Sequence, residues 1–214
     1  MDFLPDKIEE YSLLHTTKEN ELLAKLNRET WAKVMIPRML SGHLQGRILS
    51  MYSKMLAPKN ILEIGTYTGY SALCLAEGLA KNGKLHTIDH NEEVISFAKR
   101  YFEMSEYKNN IVQHLGNALD IISEINTEFQ LVFIDADKEN YCNYYNLVME
   151  KLSVGGYIIA DNVLWSGKIL DPNEQDKETQ ALRSFNQRIQ EDNRIENILL
   201  PIRDGLMLCR KLMH

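Results

Sequence analysis

LVFIDADK (131–138) and YIIADN (157–162) are two apolar runs that each end on an acid, Asp135 in the first and Asp161 in the second, with Asn162 following it. Short continuous apolar runs bounded by polar residues read as strands buried on both faces, the form taken in parallel sheets. If the two are parallel neighbours, Asp135, Asp161 and Asn162 emerge together at one carboxyl edge. Three oxygen ligands there can hold a hard divalent cation.

The same rhythm extends in both directions. NILEIG, KLHTID, IVQHLG, FQLVFIDA and YIIAD each precede a stretch with helical spacing, and such alternation predicts crossover units, a parallel sheet and helices on both faces. The ending breaks the rhythm. RIENILLPI and LMLCRKL are separated by little more than Arg203, Asp204 and Gly205, and a DG pair between strands signals a hairpin, so the last strand should run antiparallel. The expected fold class is α/β, with a seven-stranded, mostly parallel sheet and an antiparallel last strand. Extra helices precede it. Thr16 and Glu19 have capping-box spacing ahead of ELLAKL, and Leu44, Ile48, Tyr52 and Met55 recur on one helical face before Pro58. We read residues 1–214 as a single domain, with 1–58 a helical cap segment and 59–214 the α/β core. The one long loop candidate runs from Val163 to Glu174, directly after the second acidic strand.

With 214 residues, 44% hydrophobic and 25% charged, the chain has material for a three-layer core. A net charge of −6 argues against a nucleic-acid-coating protein, which needs a basic face. Cys74, Cys142 and Cys209 are odd in number and scattered through apolar or helical contexts, which suits buried thiols in the cytoplasm better than a disulfide framework. No uninterrupted apolar stretch approaches membrane-spanning length, and the opening MDFLPDKIEE reads as neither export signal nor anchor.

LEIGTYTGYS (62–71) is a strand-to-helix turn in which Gly65 and Gly69 let a ligand approach the backbone. It lacks the glycine spacing that packs a dinucleotide's diphosphate. Glu63, just before the first glycine, suits a cationic cofactor, and Asp89, ending HTID, is placed to accept from ribose hydroxyls. Taken singly, Glu63 could equally solvate a strand end and Asp89 cap the next helix. Together they favour a nucleoside carrying positive charge.

These blocks, with ADNVLWSG and LPIRDGLMLCRK, resemble the metal-dependent class I S-adenosylmethionine O-methyltransferases of the caffeoyl-CoA and catechol type, across about Met35 to Arg210. The resemblance implies a Rossmann-like class I methyltransferase fold and a homodimer. It also implies that Glu63 and Gly65 contact the methionine end of S-adenosylmethionine, Ser71 its carboxylate, Asp89 the ribose and Ala118 the adenine, with Asp135 also counted at the cofactor. Asp135, Asp161 and Asn162 would hold the cation (Mg2+, with Mn2+ or Ca2+ as alternatives), Lys138 would be catalytic, and Trp165 would wall the acceptor pocket. One departure is Gln45 before Gly46, where plant members carry an acid; a charge near the cofactor is then expected to be missing.

The expected acceptor is a catechol-like small molecule, because vicinal hydroxyls can chelate the cation and ionise on it. A second acceptor class within the same family is a hydroxylated wobble uridine of tRNA, which the acidic composition disfavours. From other classes, a non-catalytic cofactor-binding module should lack the acid, amide or lysine positions, and a dinucleotide oxidoreductase should carry GxGxxG. Asp137 reads as an ordinary helix-start residue. Tyr141, Tyr144 and Tyr145 read as packing and surface residues, and His86 and His114 as structural; His43 is left open.

Overall fold

A computed structural model describes residues 5–213. Three helices come first: α1 (Asp6–Leu14), α2 (Glu21–Lys33) and α3 (Gly42–Leu56). Strands and helices then alternate: β1 (Asn60–Ile64), α4 (Tyr70–Ala76), β2 (Lys84–Asp89), α5 (Glu92–Met104), β3 (Ile111–Leu115), α6 (Ala118–Glu124), β4 (Phe129–Ile134), α7 (Tyr141–Lys151), β5 (Leu152–Ala160) and α8 (Lys177–Glu191). The hairpin β6 (Ile195–Leu200) and β7 (Leu206–Lys211) follows. The sheet order is β3-β2-β1-β4-β5-β7-β6; β7 alone runs against its neighbours. This is the expected seven-stranded architecture, with β4 and β5 adjacent and parallel.

The apolar runs have the composition of doubly covered strands. On β4, Leu131 and Phe133 pack into the layer built on α2 to α5, and Val132 and Ile134 into the opposite layer with α7 and α8. All four are fully buried. Each such side chain contributes about 1.5–3 kcal/mol on leaving water.

One local expectation fails and another holds in part. The cap of α2 is Asn20, whose Oδ1 accepts from the Leu23 N–H at 2.9 Å; Thr16 instead donates to the Ser12 carbonyl at 2.7 Å, finishing α1. Asn is at least as good a cap as Thr and stands immediately before the periodic run. On α3, Ile48 and Tyr52 pack against the core as their spacing suggests, but the most buried face lies beside them. It comprises Gln45, Gly46, Leu49, Ser50 and Ser53, while Met55 is 75% exposed. Close approach to α4 explains the choice of small residues: a Cβ at Gly46 would lie 2.5 Å from the Tyr70 ring and 2.8 Å from Cys74 Sγ. Arg47 then grips Glu77 through both guanidinium nitrogens (3.0 and 2.7 Å), and Ser50 donates to the same carboxylate at 2.7 Å. Those partners hold Glu77 well below the ordinary carboxylate range in spite of its partial burial.

Leu49→Ala is therefore expected to cost about 2–5 kcal/mol and Met55→Ala less than about 0.5 kcal/mol, read by urea denaturation. Equal costs would contradict this orientation of α3.

Candidate functional site

The carboxyl edge is organised by backbone hydrogen bonds that continue one residue past the strands. Asp135 N–H donates to Ile64 O, Asp161 N–H to Ile134 O and Gly65 N–H to Ile88 O, each at 2.9 Å. Gly65, Asp135 and Asp161 are thus brought to one level on β1, β4 and β5. Gly65 has φ +102°, and a Cβ there would sit 1.9 Å from the Asp135 carbonyl oxygen, so no side chain is tolerated.

On the β1 side, Glu63 is fully buried. The Thr87 hydroxyl donates to its Oε2 at 2.5 Å, and Oε1 has no partner among the described residues. Burial pushes its carboxyl up to about 8, with Asp135 and Asp89 adding to the rise. An orphaned acceptor on a buried acid suits a ligand that brings a donor or a positive charge. Asp89 does not cap α5; Asn91 does, accepting from Glu93 N–H at 2.9 Å. Asp89 instead accepts from Tyr67 N–H at 2.7 Å and Asn91 N–H at 2.9 Å, ordering the turn between β1 and α4. Ser71 is buried in the first turn of α4, and Ala118 opens α6 behind its Asn117 cap.

On the β4–β5 side, the ammonium of Lys138 contacts Asp135 Oδ1 at 3.2 Å, Asn162 Oδ1 at 2.8 Å and the Tyr141 hydroxyl at 2.7 Å. The Tyr141 hydroxyl donates in turn to the Asp161 backbone carbonyl at 2.9 Å. Lys138 is only 6% exposed. Burial alone would lower its pKa; Tyr141 and the carboxylates outweigh that and hold it above the ordinary amine range. Asp161 is raised by burial and by Asp135, while the Gln45 amide, donating to Oδ2 at 2.6 Å, and the Asn162 N–H, at 2.7 Å to Oδ1, favour its charged form.

The oxygens of Asp135 and Asn162 therefore converge on one positive centre, with Asp161 alongside. The contacts show that these oxygens can face a positive charge, and the all-oxygen donor set fits a hard cation. Among the described residues no three His, Cys, Asp or Glu side chains cluster; this set comprises two carboxylates and an amide.

The segment after β5 is a 3-10 turn, Trp165–Leu170, with Trp165 and Ser166 in the left-handed region (φ +47° and +52°). It is held from outside. Asp204, in the β6–β7 turn, accepts from Ser166 N–H at 2.5 Å and, through its carbonyl, from Leu164 N–H at 3.0 Å. Arg183 of α8 donates to the carbonyls of Lys168 (3.0 Å), Ile169 (2.9 Å) and Glu174 (2.8 Å), and Asn186 to that of Val163 (2.9 Å). The Trp165 ring lies 5.8 Å from the Lys138 nitrogen.

Sequence reasoning missed the site roles of Tyr141, Asp204 and Arg183, and singled out Gln45 without its partner. Tyr141 was expected only to pack; it is fully buried, as are its neighbours for the most part, yet its hydroxyl joins the site. Its position three residues after Lys138 was the available signal. Gln45 meets Asp161, beside the candidate ion ligands. Asp204 and Arg183 gave no signal. His86 and His114 stack on each other with ring nitrogens 3.0 Å apart, as structural residues should; His43 lies 2.7 Å from the Thr17 carbonyl.

The sequence pattern of the O-methyltransferase family matches residues 13–212. A caffeoyl-CoA O-methyltransferase of Medicago sativa is 33% identical over 207 residues, covering 91% of this chain and 83% of that protein. One from Petroselinum crispum is 34% identical over 207 residues, covering 91% and 86%. Among solved structures, the O-methyltransferase TomG from Streptomyces achromogenes, in complex with SAM, has a TM-score of 0.89 at 26% identity and covers 97% of this chain and 96% of its own. An O-methyltransferase from Bacillus cereus in complex with SAH has a TM-score of 0.89 at 27% identity, covering 96% and 97%.

Burial makes the fold favour neutral over charged Glu63, a pH-dependent contribution to stability. That contribution is complete below the ordinary value of 4.5 and is lost as pH rises through about 8. Glu63→Gln, which cannot ionise, should lose less stability than the wild type across that window in thermal melts of the cofactor-free protein. Parallel profiles would show that Glu63 is not buried as a neutral acid.

Proposed function

The chain belongs to the O-methyltransferase family, as an S-adenosylmethionine-dependent enzyme of the caffeoyl-CoA type, and on that premise we propose that its acceptor is a catechol-like small molecule held on a divalent cation. The observation that carries this reading is the meeting of Asp135 and Asn162 oxygens at the Lys138 ammonium, with Asp161 beside them. Asp135, Asp161 and Asn162 would hold the cation, which supplies the positive charge that gathers two vicinal hydroxyls and favours ionisation of one. S-adenosylmethionine supplies a methyl group on a sulfonium.

The protein's part is positioning. Glu63, Gly65, Ser71, Asp89 and Ala118 are assigned to the cofactor: the turn after β1 and the first residues of α4 and α6 all open on the same sheet edge, and the unpartnered Glu63 oxygen supports a cationic or donor group close by. Lys138, fixed by its contact with the Tyr141 hydroxyl, would place its ammonium to stabilise negative charge on the acceptor oxygen. Trp165 walls the acceptor side and excludes water.

The wider expectations keep the same standing as proposals. Exposed Tyr11 and Leu14 on α1 and Met51 and Met55 on α3 support a homodimer. Three cysteines without a disulfide among the described residues support a reducing compartment, the cytoplasm. No described helix is long and apolar enough to cross a membrane.

The test is methyl transfer from S-adenosylmethionine to a panel of vicinal diols, matched monophenols and undermodified tRNA, with Mg2+ or excess chelator. Transfer to diols alone, abolished by chelator and by Asp135→Ala or Asp161→Ala with cofactor binding retained, is expected. Full turnover in chelator would overturn the ion-held acceptor, and transfer to tRNA alone would replace the acceptor class.

Lys138→Met should lower kcat by about 100-fold or more with little change in acceptor KM. A change confined to KM would reassign Lys138 to binding.

A further inference from the structure

We propose that Gln45 is a positioning residue that sets the affinity of the Asp135, Asp161 and Asn162 cluster for a divalent cation; the inference rests on the ion reading above. Gln45 lies on the inward face of α3 and is 1% exposed. Its Nε2 donates to Asp161 Oδ2 at 2.6 Å, a contact between residues 116 apart in sequence. The other oxygen, Oδ1, accepts from the Asn162 N–H at 2.7 Å. Asp161 is itself 4% exposed, so these two neutral donors fix the plane of a buried carboxylate.

The chemistry of the donor matters. Each carboxylate oxygen has a second lone pair, so one amide hydrogen bond leaves acceptor capacity for an ion. A carboxylate at position 45 would place like charge against Asp161 at hydrogen-bond distance. A lysine or arginine would bring a full positive charge to the place where an ion must compete. Unlike the acid that plant members carry there, the amide orients Asp161 as a neutral donor without altering the site's charge.

The donor has little freedom to retreat. Gly46, the next residue, is packed so closely on Tyr70 and Cys74 that a Cβ there would meet both within 3 Å. The Arg47 to Glu77 grip follows at once, at 2.7 Å. Helix α3 is thereby pinned to α4, and Gln45 is delivered to the strand edge as a fixed point. Supporting hydrogen bonds to metal ligands typically change affinity by about 10–100-fold when removed.

The test is titration of the full chain with Mn2+, followed by electron paramagnetic resonance at one fixed pH, for the wild type, Gln45→Met and Gln45→Ala. SAH affinity and Tm are measured on the same samples. Gln45→Met keeps the length of the side chain and removes only its donor. Both variants are expected to bind Mn2+ about 10–100-fold more weakly while SAH affinity holds, with a lower Tm because each leaves a buried Asp161 oxygen without its donor. Wild-type Mn2+ affinity in both variants would overturn the role of Gln45 and leave the ion reading standing. A parallel fall of Mn2+ affinity and SAH affinity in both would reduce Gln45 to packing. No Mn2+ binding by the wild type would overturn the ion reading and this inference with it.

Discussion

The site depends on three amide hydrogen bonds at the end of the central strands, in which the residues just past β1, β4 and β5 still pair with their neighbours. Because the parallel register carries Ile64 beside Ile134 and Ile134 beside Ala160, the next residue on each strand arrives at a common level. Two acids from sequence-distant segments are then adjacent without any side-chain interaction having to bring them there. The buried strands meet the entropic cost of that arrangement, and the loops add only the finishing contacts.

Placing two carboxylates at a buried edge would ordinarily be unfavourable, and the structure answers each differently. Asp135 is met by a positive charge, the Lys138 ammonium, whereas Asp161 is met by two neutral donors. Lys138 is in turn held by a phenol that reports to the Asp161 backbone, closing a loop of contacts through Tyr141. Such a network resists partial change, since removing one member leaves another buried group unsatisfied. On the far side of the sheet edge burial pushes the Glu63 carboxyl up, which favours its neutral form.

Much of this was legible in the sequence because the signals were local. Apolar runs closing on Asp135 and Asp161 gave parallel neighbours, and Asp204 with Gly205 gave the hairpin that reverses β7. The family likewise followed from ordered blocks, and the comparisons agree with it. In α3 the periodicity picked out Ile48 and Tyr52, which pack against the core, but not the small residues that the close helix contact at Gly46 demands. Gln45 shows the same limit. Its partner lies far along the chain, and only the assembled sheet shows that a buried amide is spent on Asp161. Asp204 was read for its turn and Arg183 not at all, since neither the β6–β7 brace nor a guanidinium facing backbone carbonyls leaves a pattern in the sequence.

The 163–174 segment draws its named anchors from α8 and the β6–β7 turn, through Arg183, Asn186 and Asp204, and none of these from β1, β2 or β3. Its hydrogen-bonded anchorage thus lies apart from Glu63 and Asp89, although Val163 shares a hydrophobic core with Ile64 and Ile88. Lineages descending from such an ancestor could lengthen, shorten or rewrite that segment while the opposite half stayed under unchanged selection. A single scaffold could in this way diversify what it accepts without renegotiating what it donates.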